Sequence, residues 1–583
     1  MTSETRSGRS SCLLPRLAMA AIGGSILLTI GLGLLGPSAV VPALGGPAWH
    51  PPYSLALQPG PHLVVSLAAA AILLGGLGLL GALFAVRAIP PTAGRPGGTS
   101  GPRGGSGETP GGPGSRGMAV RWGRWRGMPS ARVLVLVGCV AAGVLAFLPP
   151  SGSGDHLNYA AYGRMVVLGV DPYTHGAVDL SGDPVADAVE APWREEPSVY
   201  GPIATAVQAL ASWAGGDSVR LTIFVLALFN AGAFIATGLL IDRFTRDDPA
   251  RRLRAALLWT ANPLLLYQLV AGMHVDTLAI ACMVAALLAR GRPVGSGLLL
   301  GAGVAIKLNA GLVALGLAWE LRRRPGRLAL MAGAAVAVVV AGYAVVGIDA
   351  VAPVTRTSKA ISHASFWKLV QGWLQEIVGV GHAYRGEIQI GSLVVLALVA
   401  WSLFRLASRA PGKGSPILSV GPAQGGLPPS AANVRGGLPP SADDARSELP
   451  PSADARRGGL PSSAGGGRVE LSAEVVAAVL ACAYVFATPY VLPWYDGLAF
   501  AMLALVTASA LDGFLVLHLL VLSLAYLPAR VVGQPPDLEW LRTVVRAQVV
   551  PWVLLGLTIG LVWWAWRAAG RVRRRPEPAA PPR

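Results

Sequence analysis

Long runs of apolar residues alternate along the chain with short polar or basic stretches. The runs are continuous, and most are long enough as helices to cross about 30 Å of hydrocarbon with their backbone hydrogen bonds closed internally. A membrane β-barrel would instead alternate apolar and polar residues. The pattern predicts an all-α polytopic membrane protein with about 14 hydrophobic segments, near residues 17–35, 62–86, 133–149, 219–241, 255–270, 275–290, 294–319 (a broken pair), 328–347, 388–405, 472–488, 498–511, 513–529 and 549–567.

Two stretches depart from a simple span. The 14 or so residues that follow Pro202 are short for a crossing and suit an interfacial or re-entrant helix. Residues 294–319 lie between two basic segments, "RGRP" and "ELRRRPGR", so they are expected to enter and leave on one side as two short helices hinged at Lys307–Gly311. Broken helices at membrane depth occur where they line protein or a cavity.

Composition and charge agree with this class of protein. Of 583 residues, 53% are hydrophobic and 13% are charged. The net charge of +17 comes from basic clusters beside apolar runs without interleaved aromatics, which favours the positive-inside rule over nucleic-acid binding. We therefore predict a multi-pass plasma-membrane protein with both termini cytoplasmic. A cleaved signal peptide is the alternative for the first run.

The predicted organisation has six parts. Residues 150–200 and 349–387 are expected to be external loops. The motif "LPPSA" or "LPSSA" recurs with an 11-residue period at Leu427, Leu438, Leu449 and Leu460, and this repeat indicates a disordered linker. The parts are two N-terminal transmembrane helices (1–86), a cytoplasmic Gly/Arg-rich linker (87–132), a transmembrane core (133–405), the Pro/Ser/Gly repeat linker (406–470), C-terminal transmembrane helices (471–567) and a basic cytoplasmic tail (568–583).

The stretch "GDHLNYAAYGRMVVLGVDPYTHG", Gly154–Gly176, concentrates polar groups in the first external loop. Asp155 comes shortly after a span, where burial and neighbours can adjust its pKa for work as a base on a lipid substrate. It could equally cap the helix that follows. The same loop offers further side chains for sugar contacts, or for an interfacial aromatic belt: His156, Tyr159, Tyr162, Arg164, Asp171, Tyr173 and Tyr200.

Later segments add candidates on the same side. His274 and Asp276 are expected to contact a phosphate or sugar; without a nearby third ligand, a metal site is the weaker interpretation. Lys307 lies in an apolar run, where a charge costs about 2.5 to 3.5 kcal/mol at mid-membrane, so it should face a cavity or a partner unless it snorkels to water. The remaining candidates are Arg356, Lys368, Trp494 and Tyr495. No Walker loop or dinucleotide fingerprint is present, so nothing points to ATP or a soluble nucleotide sugar.

In order along the chain, "GDHLNYAAYGRMVVLGVDPYTHG", "PSVYGPI", "LLWTANPLLLYQLVAGMHVDTL", "GAGVAIKLNAGL" and "LPWY" resemble the actinobacterial polyprenol-phosphate-mannose-dependent alpha-1,6-mannosyltransferases, of the GT-C class of membrane glycosyltransferases. The likeness covers about residues 130–530 without the repeat linker. It implies a GT-C-like helical bundle with an external catalytic loop, a polyprenyl-phosphate sugar donor, a mannan or lipoglycan acceptor, and Asp155 as catalytic base. Related sequences usually read His-Asn-Asp where this chain has His274-Val275-Asp276.

The predicted function is thus inverting transfer of mannose from a polyprenyl phosphate to an external acceptor, forming alpha-1,6 linkages. Asp155 would accept the acceptor's proton, and the leaving phosphate would need nearby cations. The cations proposed for this role are Arg164, His274, Arg356 and Lys368. No cofactor is expected, and a divalent metal, although possible, is not indicated. The alternatives are a flippase for polyprenyl-linked sugars, a GT-C enzyme with another sugar, and a non-catalytic envelope scaffold.

Overall fold

The structure is a computed structural model that describes residues 4–87, 128–191, 193–380, 383–408, 471–528, 530 and 532–573, with only the backbone described for residues 4–12 and 571–573. Most of the predicted Gly/Arg-rich linker, nearly all of the repeat linker and the end of the basic tail lie outside the described residues. Every regular element in the described part is helical, so the predicted all-α class is confirmed.

The described residues up to 346 contain eleven α-helices of ten residues or more. Their bounds follow the expected signals, with proline at the first position of several helices and Ser130, Ser218 and Asp248 as caps. The helices are α1 Glu4–Leu35, α2 Pro61–Arg87, α3 Ala131–Ala146, α4 Asp155–Val167, α5 Pro202–Gly215, α6 Val219–Thr245, α7 Pro249–Leu258, α8 Asp276–Leu288, α9 Pro293–Ile306, α10 Leu312–Leu321 and α11 Pro325–Val346. Short pieces Pro263–Leu265 and Leu266–Ala271, the second a π-helix, connect α7 to α8.

The described residues from 352 to 573 add seven α-helices. They are α12 Ala352–Thr357, α13 Trp367–Ile377, α14 Arg385–Ala407, α15 Ala473–Ala487, α16 Asp496–Ala504, α17 Leu511–Ala525 and α18 Val550–Arg573, the last preceded by a π-helix at Leu541–Val549. Six described helices are long and apolar enough to cross a membrane: Leu13–Leu35, Pro61–Arg87, Val219–Thr245, Pro325–Val346, Arg385–Ala407 and Pro536–Gly570. The chain is a multi-pass membrane protein. The total of 14 segments stays a prediction.

Two predicted segments are not continuous helices. Residues 255–270 are interrupted after Leu258, because Pro263 has no N–H to donate and the Asn262 side chain caps a new helix at Leu264 and Leu265. Residues 498–511 are helical only as far as Ala504. The Arg254 guanidinium donates hydrogen bonds to the carbonyls of Leu503 and Val506 at the end of this helix.

Arg254 also joins the two halves of the molecule. Its Nε and Nη2 lie 2.7 and 2.6 Å from the two carboxylate oxygens of Asp512 on α17. Both side chains are 2% exposed. A two-point pair with further carbonyl acceptors satisfies nearly all of the guanidinium donors, which is the arrangement that makes a buried ion pair tolerable. The pair therefore fixes α17 against α7.

The break predicted inside residues 294–319 is present. Helix α9 ends at Ile306, Lys307 has an extended backbone, and a 3-10 turn Leu308–Gly311 leads into α10. The 14-residue helix predicted after Pro202 is α5. The Gly201 N–H donates to the Ile306 carbonyl at 3.0 Å, so the start of α5 is held directly against the break. This contact brings the first polar loop to Lys307.

Arg530 ties the same loop to two other segments. Its Nε donates to the Glu190 carboxylate at 2.7 Å, and its Nη1 donates to the Ser38 carbonyl at 2.7 Å. The loop after α1, the loop between α4 and α5 and the segment after α17 thus meet at one guanidinium. They form the rim around Asp155, because Gly154 lies directly against Glu190.

Candidate functional site

Asp155 is the first residue of α4. The cap position of that helix is Gly154, and the Asp155 N–H donates to the Ser153 hydroxyl at 3.1 Å. Asp155 therefore lies in the first turn and does not occupy the cap. The loop before it is fixed by two backbone bonds of 2.8 Å, from Ser151 N to the Ala271 carbonyl and from Gly152 N to the Val40 carbonyl. Gly152 has φ +94°, a left-handed conformation that favours glycine. The carboxylate is consequently held at a defined point on the loop.

His274 faces Asp155 from the turn before α8. Its Nδ1 lies 3.6 Å from Asp155 Oδ2, which is contact distance but too long for a hydrogen bond. Its carbonyl accepts from Asn230 Nδ2 at 2.7 Å and from the Thr277 hydroxyl at 2.8 Å, so the backbone is fixed. Met273, just before it, has φ +53°, a left-handed residue that follows the π-helical turn and aims His274 at the loop.

Trp494 covers the imidazole of His274. The two rings are stacked with centroids 3.6 Å apart and an interplanar angle of 14°. Trp494 belongs to a 3-10 turn, Pro493–Tyr495, at the start of α16. A flat aromatic stack of this kind leaves the His274 edge directed towards Asp155 and restricts rotation of both rings.

Lys307 and Asp276 form an ion pair beside this group. The Lys307 Nζ lies 2.7 Å from each carboxylate oxygen of Asp276. The ammonium also lies 4.3 Å from the ring centroid of Tyr495 and 6.0 Å from that of Tyr200, so it has aromatic faces on two sides. Lys307 therefore faces a charged partner, the Asp276 carboxylate.

Tyr159 and Tyr200 complete the cluster. Tyr159 is one helical turn after Asp155 on α4, and its ring meets that of Tyr200 edge-on at 5.1 Å. The Tyr200 hydroxyl donates to the Tyr159 hydroxyl at 3.2 Å. The site cluster thus contains eight of the predicted residues, which we treat as one group below: Asp155, Tyr159, Tyr200, His274, Asp276, Lys307, Trp494 and Tyr495.

Burial raises the pKa of Asp155 to about 6. The Ser153 hydroxyl and the Lys307 ammonium oppose this shift, while the Asp276 carboxylate adds to it. The side chain is still 29% exposed, so solvent or a substrate can reach it. A carboxylate with a pKa near neutrality is ionised at pH 7 and still basic enough to accept a proton. Burial and the Lys307 charge lower the pKa of His274, which keeps the imidazole neutral.

Five predicted residues of the first loop lie outside the cluster and support the loop instead. The Tyr162 hydroxyl donates to the Glu196 carbonyl at 2.9 Å, and the Tyr173 hydroxyl is 2.7 Å from the Thr205 hydroxyl. Arg164 pairs with Asp183 and Asp217, and His156 is fully buried. Asp171 accepts from the Tyr173 N–H at 2.9 Å. The turn that contains Asp171 borders a cavity of about 510 Å³ between α4, α5 and α11.

Two predicted cations lie elsewhere. Arg356 is exposed on α12. Lys368 is half-buried on α13, where its Nζ donates to the Gln371 amide oxygen at 2.9 Å. Within the described residues, no group of three His, Cys, Asp or Glu side chains is arranged to hold a metal ion.

Sequence reasoning missed Tyr526 and Arg546. Tyr526 meets Trp494 edge-on at 5.2 Å, and the Arg546 guanidinium lies 5.1 Å from the centre of the Tyr526 ring. One signal was available, because Arg542 and Arg546 precede α18 at the end opposite to the basic tail, where the positive-inside rule does not explain them.

The chain resembles known proteins over its N-terminal half. A family profile described as "Alpha-(1->6)-mannopyranosyltransferase, N-terminal domain" matches residues 117–323. Six residues of the site cluster fall in that range, and only Trp494 and Tyr495 lie beyond it. No solved structure matches the chain at a significant level.

Three curated relatives come from two actinobacterial species. Alpha-(1->6)-mannopyranosyltransferase A of Corynebacterium glutamicum is 28% identical over 249 residues, 40% of this chain and 49% of the relative. Alpha-(1->6)-mannopyranosyltransferase B of the same species is 26% identical over 252 residues, 43% and 37% of the two chains. The A protein of Mycobacterium tuberculosis is 30% identical over 189 residues, 30% and 35%.

The matches span about half or less of the length of these relatives. The profile match at residues 117–323 includes the first polar loop, the His274 turn and the break at Lys307. Over residues 117–323, the chain is similar to the alpha-(1->6)-mannopyranosyltransferase family.

Proposed function

We propose that the protein is an inverting glycosyltransferase that moves mannose from a polyprenyl-phosphate donor to a mannan or lipoglycan acceptor, forming alpha-1,6 linkages. The observation that carries the proposal is the Asp155 carboxylate. It is partly exposed, has a pKa raised to about 6, and lies 3.6 Å from His274 in a site cluster within the membrane protein. The names of the relatives support the choice of mannose and of the linkage.

The reaction would be a single displacement. The acceptor hydroxyl oxygen forms a bond to the anomeric carbon, and the bond from that carbon to the phosphate oxygen breaks. The phosphate leaves with the bonding electron pair, and the hydroxyl proton passes to Asp155. Attack from the face opposite to the leaving group converts a beta-linked donor into an alpha-mannoside, through an oxocarbenium-like transition state.

The aromatic members of the cluster suit a sugar ligand. Tyr200 and Tyr495 flank the Lys307 ammonium, and Trp494 lies over His274. Aromatic faces with polar edges can pack against the apolar face of a hexose while the hydroxyls bond to nearby polar groups. Asp276 would orient sugar hydroxyls as an acceptor, with its own charge balanced by Lys307.

A membrane-held donor fits the setting of the site. Asp155 and His274 lie at the ends of helices in a multi-pass protein, where the phosphate of a polyprenyl lipid would be at the same depth as the headgroups. The basic segments of the sequence favour cytoplasmic termini and an external site in the plasma membrane, away from soluble nucleotide sugars. We infer that transfer needs no cofactor.

The test is transfer by the purified full chain in lipid. A short mannoside acceptor is offered with either polyprenyl-phosphate mannose or a nucleotide mannose, with and without EDTA. We expect an alpha-linked product from the lipid donor alone, equally in EDTA. Product from the nucleotide donor would overturn the donor assignment. Movement of lipid-linked sugar across the bilayer without a new glycosidic bond would identify a flippase, and turnover with polyprenyl-phosphate arabinose or glucose alone would overturn only the sugar assignment.

A further inference from the structure

A group of basic residues lies near Tyr526, which meets Trp494 edge-on. It consists of His363, in the segment before α13, Lys368, in the first turn of α13, and Arg542 and Arg546, in the π-helix before α18. We call these four residues the cation cluster. Lys368 and Arg546 are half-buried, and His363 and Arg542 are exposed.

Arg546 is connected to the site cluster by a row of rings. Its guanidinium lies 5.1 Å from the Tyr526 ring, Tyr526 meets Trp494 at 5.2 Å, and Trp494 stacks on His274 at 3.6 Å. The Tyr526 hydroxyl is within electrostatic reach of both Asp155 and Arg546. Arg546 is thus connected to the proposed base through three rings, those of Tyr526, Trp494 and His274.

The His363 segment is fixed against the same turn. The Ser362 hydroxyl donates to the Val491 carbonyl at 2.8 Å and accepts from the Val491 N–H at 2.9 Å, three residues before Trp494. Burial and the charges of Lys368, Arg546 and Arg542 lower the pKa of His363. The four groups therefore share one electrostatic environment beside the turn that holds Trp494.

The positive charge of the cation cluster is mostly unbalanced. Arg542 pairs with Glu539 at 2.7 Å. Among the residues that the structure describes, no carboxylate is in ion-pair contact with Arg546 or Lys368. Arg546 donates from Nε to the Ala525 carbonyl at 2.7 Å and from Nη2 to the Pro528 carbonyl at 3.4 Å, and these bonds hold its fork in place. Two half-buried cations, Arg546 and Lys368, without a carboxylate in ion-pair contact among the described residues indicate an anionic ligand.

The surroundings of the cation cluster favour an anionic ligand that also carries an apolar chain. Beneath the cation cluster lies an apolar core of α13, α14, α17 and α18, which includes Trp367, Leu522 and Leu554. Trp373 and Trp552 contact each other at 5.7 Å beside it, both with exposed area. An anion attached to a long apolar chain could place its charge on the cations and its chain along these exposed rings and aliphatic side chains.

We propose that the cation cluster binds the phosphate of the isoprenoid donor, and that it retains the isoprenyl phosphate formed when the sugar leaves. This inference rests on the proposed function. It places the leaving phosphate beside Arg546 and Lys368 and the acceptor beside Asp155. The displacement would then run across the space beside Trp494, with the nucleophile and the leaving group on opposite faces of the sugar.

Binding is measured apart from transfer, with farnesyl phosphate as the probe and farnesol as its uncharged counterpart, on the purified full chain in neutral-lipid nanodiscs. We expect farnesyl phosphate to bind and farnesol to bind at least tenfold more weakly. Arg546→Gln should weaken farnesyl phosphate binding by roughly 10- to 100-fold, since it removes charge-assisted hydrogen bonds. Arg546→Lys should lose less, and Lys368→Gln, which breaks no backbone contact, should also weaken binding.

Arg567→Gln is the matched control. Arg567 is on α18 and lies 4.0 Å over Trp563, a contact like that of Arg546 with Tyr526, but towards the other end of the helix. The Arg567→Gln variant should bind farnesyl phosphate with the affinity of the unaltered protein. Wild-type affinity in both Arg546→Gln and Lys368→Gln would overturn the inference, and so would displacement of the probe by equimolar phosphatidylglycerol, which would assign the cluster to bilayer lipid.

The two proposals fail separately. If the chain binds farnesyl phosphate through Arg546 but transfers no mannose from any polyprenyl-phosphate donor, only the proposed function is wrong. If mannose is transferred and the donor KM of Arg546→Gln equals that of the unaltered protein, only the assignment of the cation cluster is wrong.

Discussion

Lys307 and Asp276 form a two-point ion pair, with the Lys307 Nζ 2.7 Å from both carboxylate oxygens of Asp276. The side chains are 14% and 7% exposed, so the pair is largely removed from water. Lys307 lies where α9 is broken, and Asp276 is the first residue of α8. The pair therefore holds the broken helix in position while its charges balance beside Asp155.

Replacing Lys307 by Met should destabilise the protein by about 3 to 5 kcal/mol, because it leaves the buried Asp276 carboxylate without its partner. The double variant Lys307→Met, Asp276→Leu should recover much of that stability without recovering transfer. Unfolding of the single and double variants in detergent gives the comparison. A single variant as stable as the unaltered protein would show that the pair does not hold the break.

Replacing Asp155 by Asn should lower the transfer rate by a factor of about 100 to 10,000, because the amide cannot accept the proton. Stability should be unchanged, since the cap of α4 is Gly154 and the Asp155 side chain makes no capping bond. Single-turnover rates and melting temperatures would be measured on the same preparations. Near-normal turnover in a folded variant would remove Asp155 from the role of base.

The pH dependence should follow the ionisation of Asp155. Because the carboxylate is the active form and its pKa is raised to about 6, kcat/KM should be constant above pH 7 and fall about tenfold per pH unit below pH 6. His274 should not cause this fall, because burial and Lys307 lower its pKa. A fall that begins only near pH 4 would indicate an unperturbed carboxylate.

Replacing Gly201 by Ala should reduce transfer by separating Tyr200 from Lys307. An added Cβ would be 2.2 Å from the Ala305 carbonyl oxygen, so α5 must move away from the break in α9. We expect a loss of about 1 to 3 kcal/mol in stability, as for other overpacked sites, together with a higher KM.

Gly143→Ala provides the control for this substitution. Gly143 is in α3, and a Cβ there would meet nothing within 4 Å. Its replacement should leave transfer unchanged and stability equal or slightly higher, because alanine is the better helix former. If both glycine variants behave alike, the close approach of α5 to α9 is not what the site requires.

Local features of the fold could be predicted because they depend on a few neighbouring residues. The helix that begins at Asp155, the short helix after Pro202 and the break at Lys307 follow from apolar runs, prolines and the placement of charges. The same reasoning failed at 255–270 and 498–511. There, Asn262 caps the start of a new helix, and the distant Arg254 binds the carbonyls at the end of α16, where the apolar pattern predicted continuous helices.

The sequence by itself determined that this is a helical membrane protein, that polar side chains collect in a few loops, and which residue types could carry the chemistry. Only the tertiary structure decided which of them meet. Asp155 approaches His274, Trp494 covers His274, and Lys307 pairs with Asp276. Arg164 instead pairs with Asp183 of its own loop and with Asp217 after α5. The physical reason is the separation along the chain over which each kind of interaction acts. Hydrophobicity and capping act within a few residues, but contacts between distant segments depend on how whole helices pack.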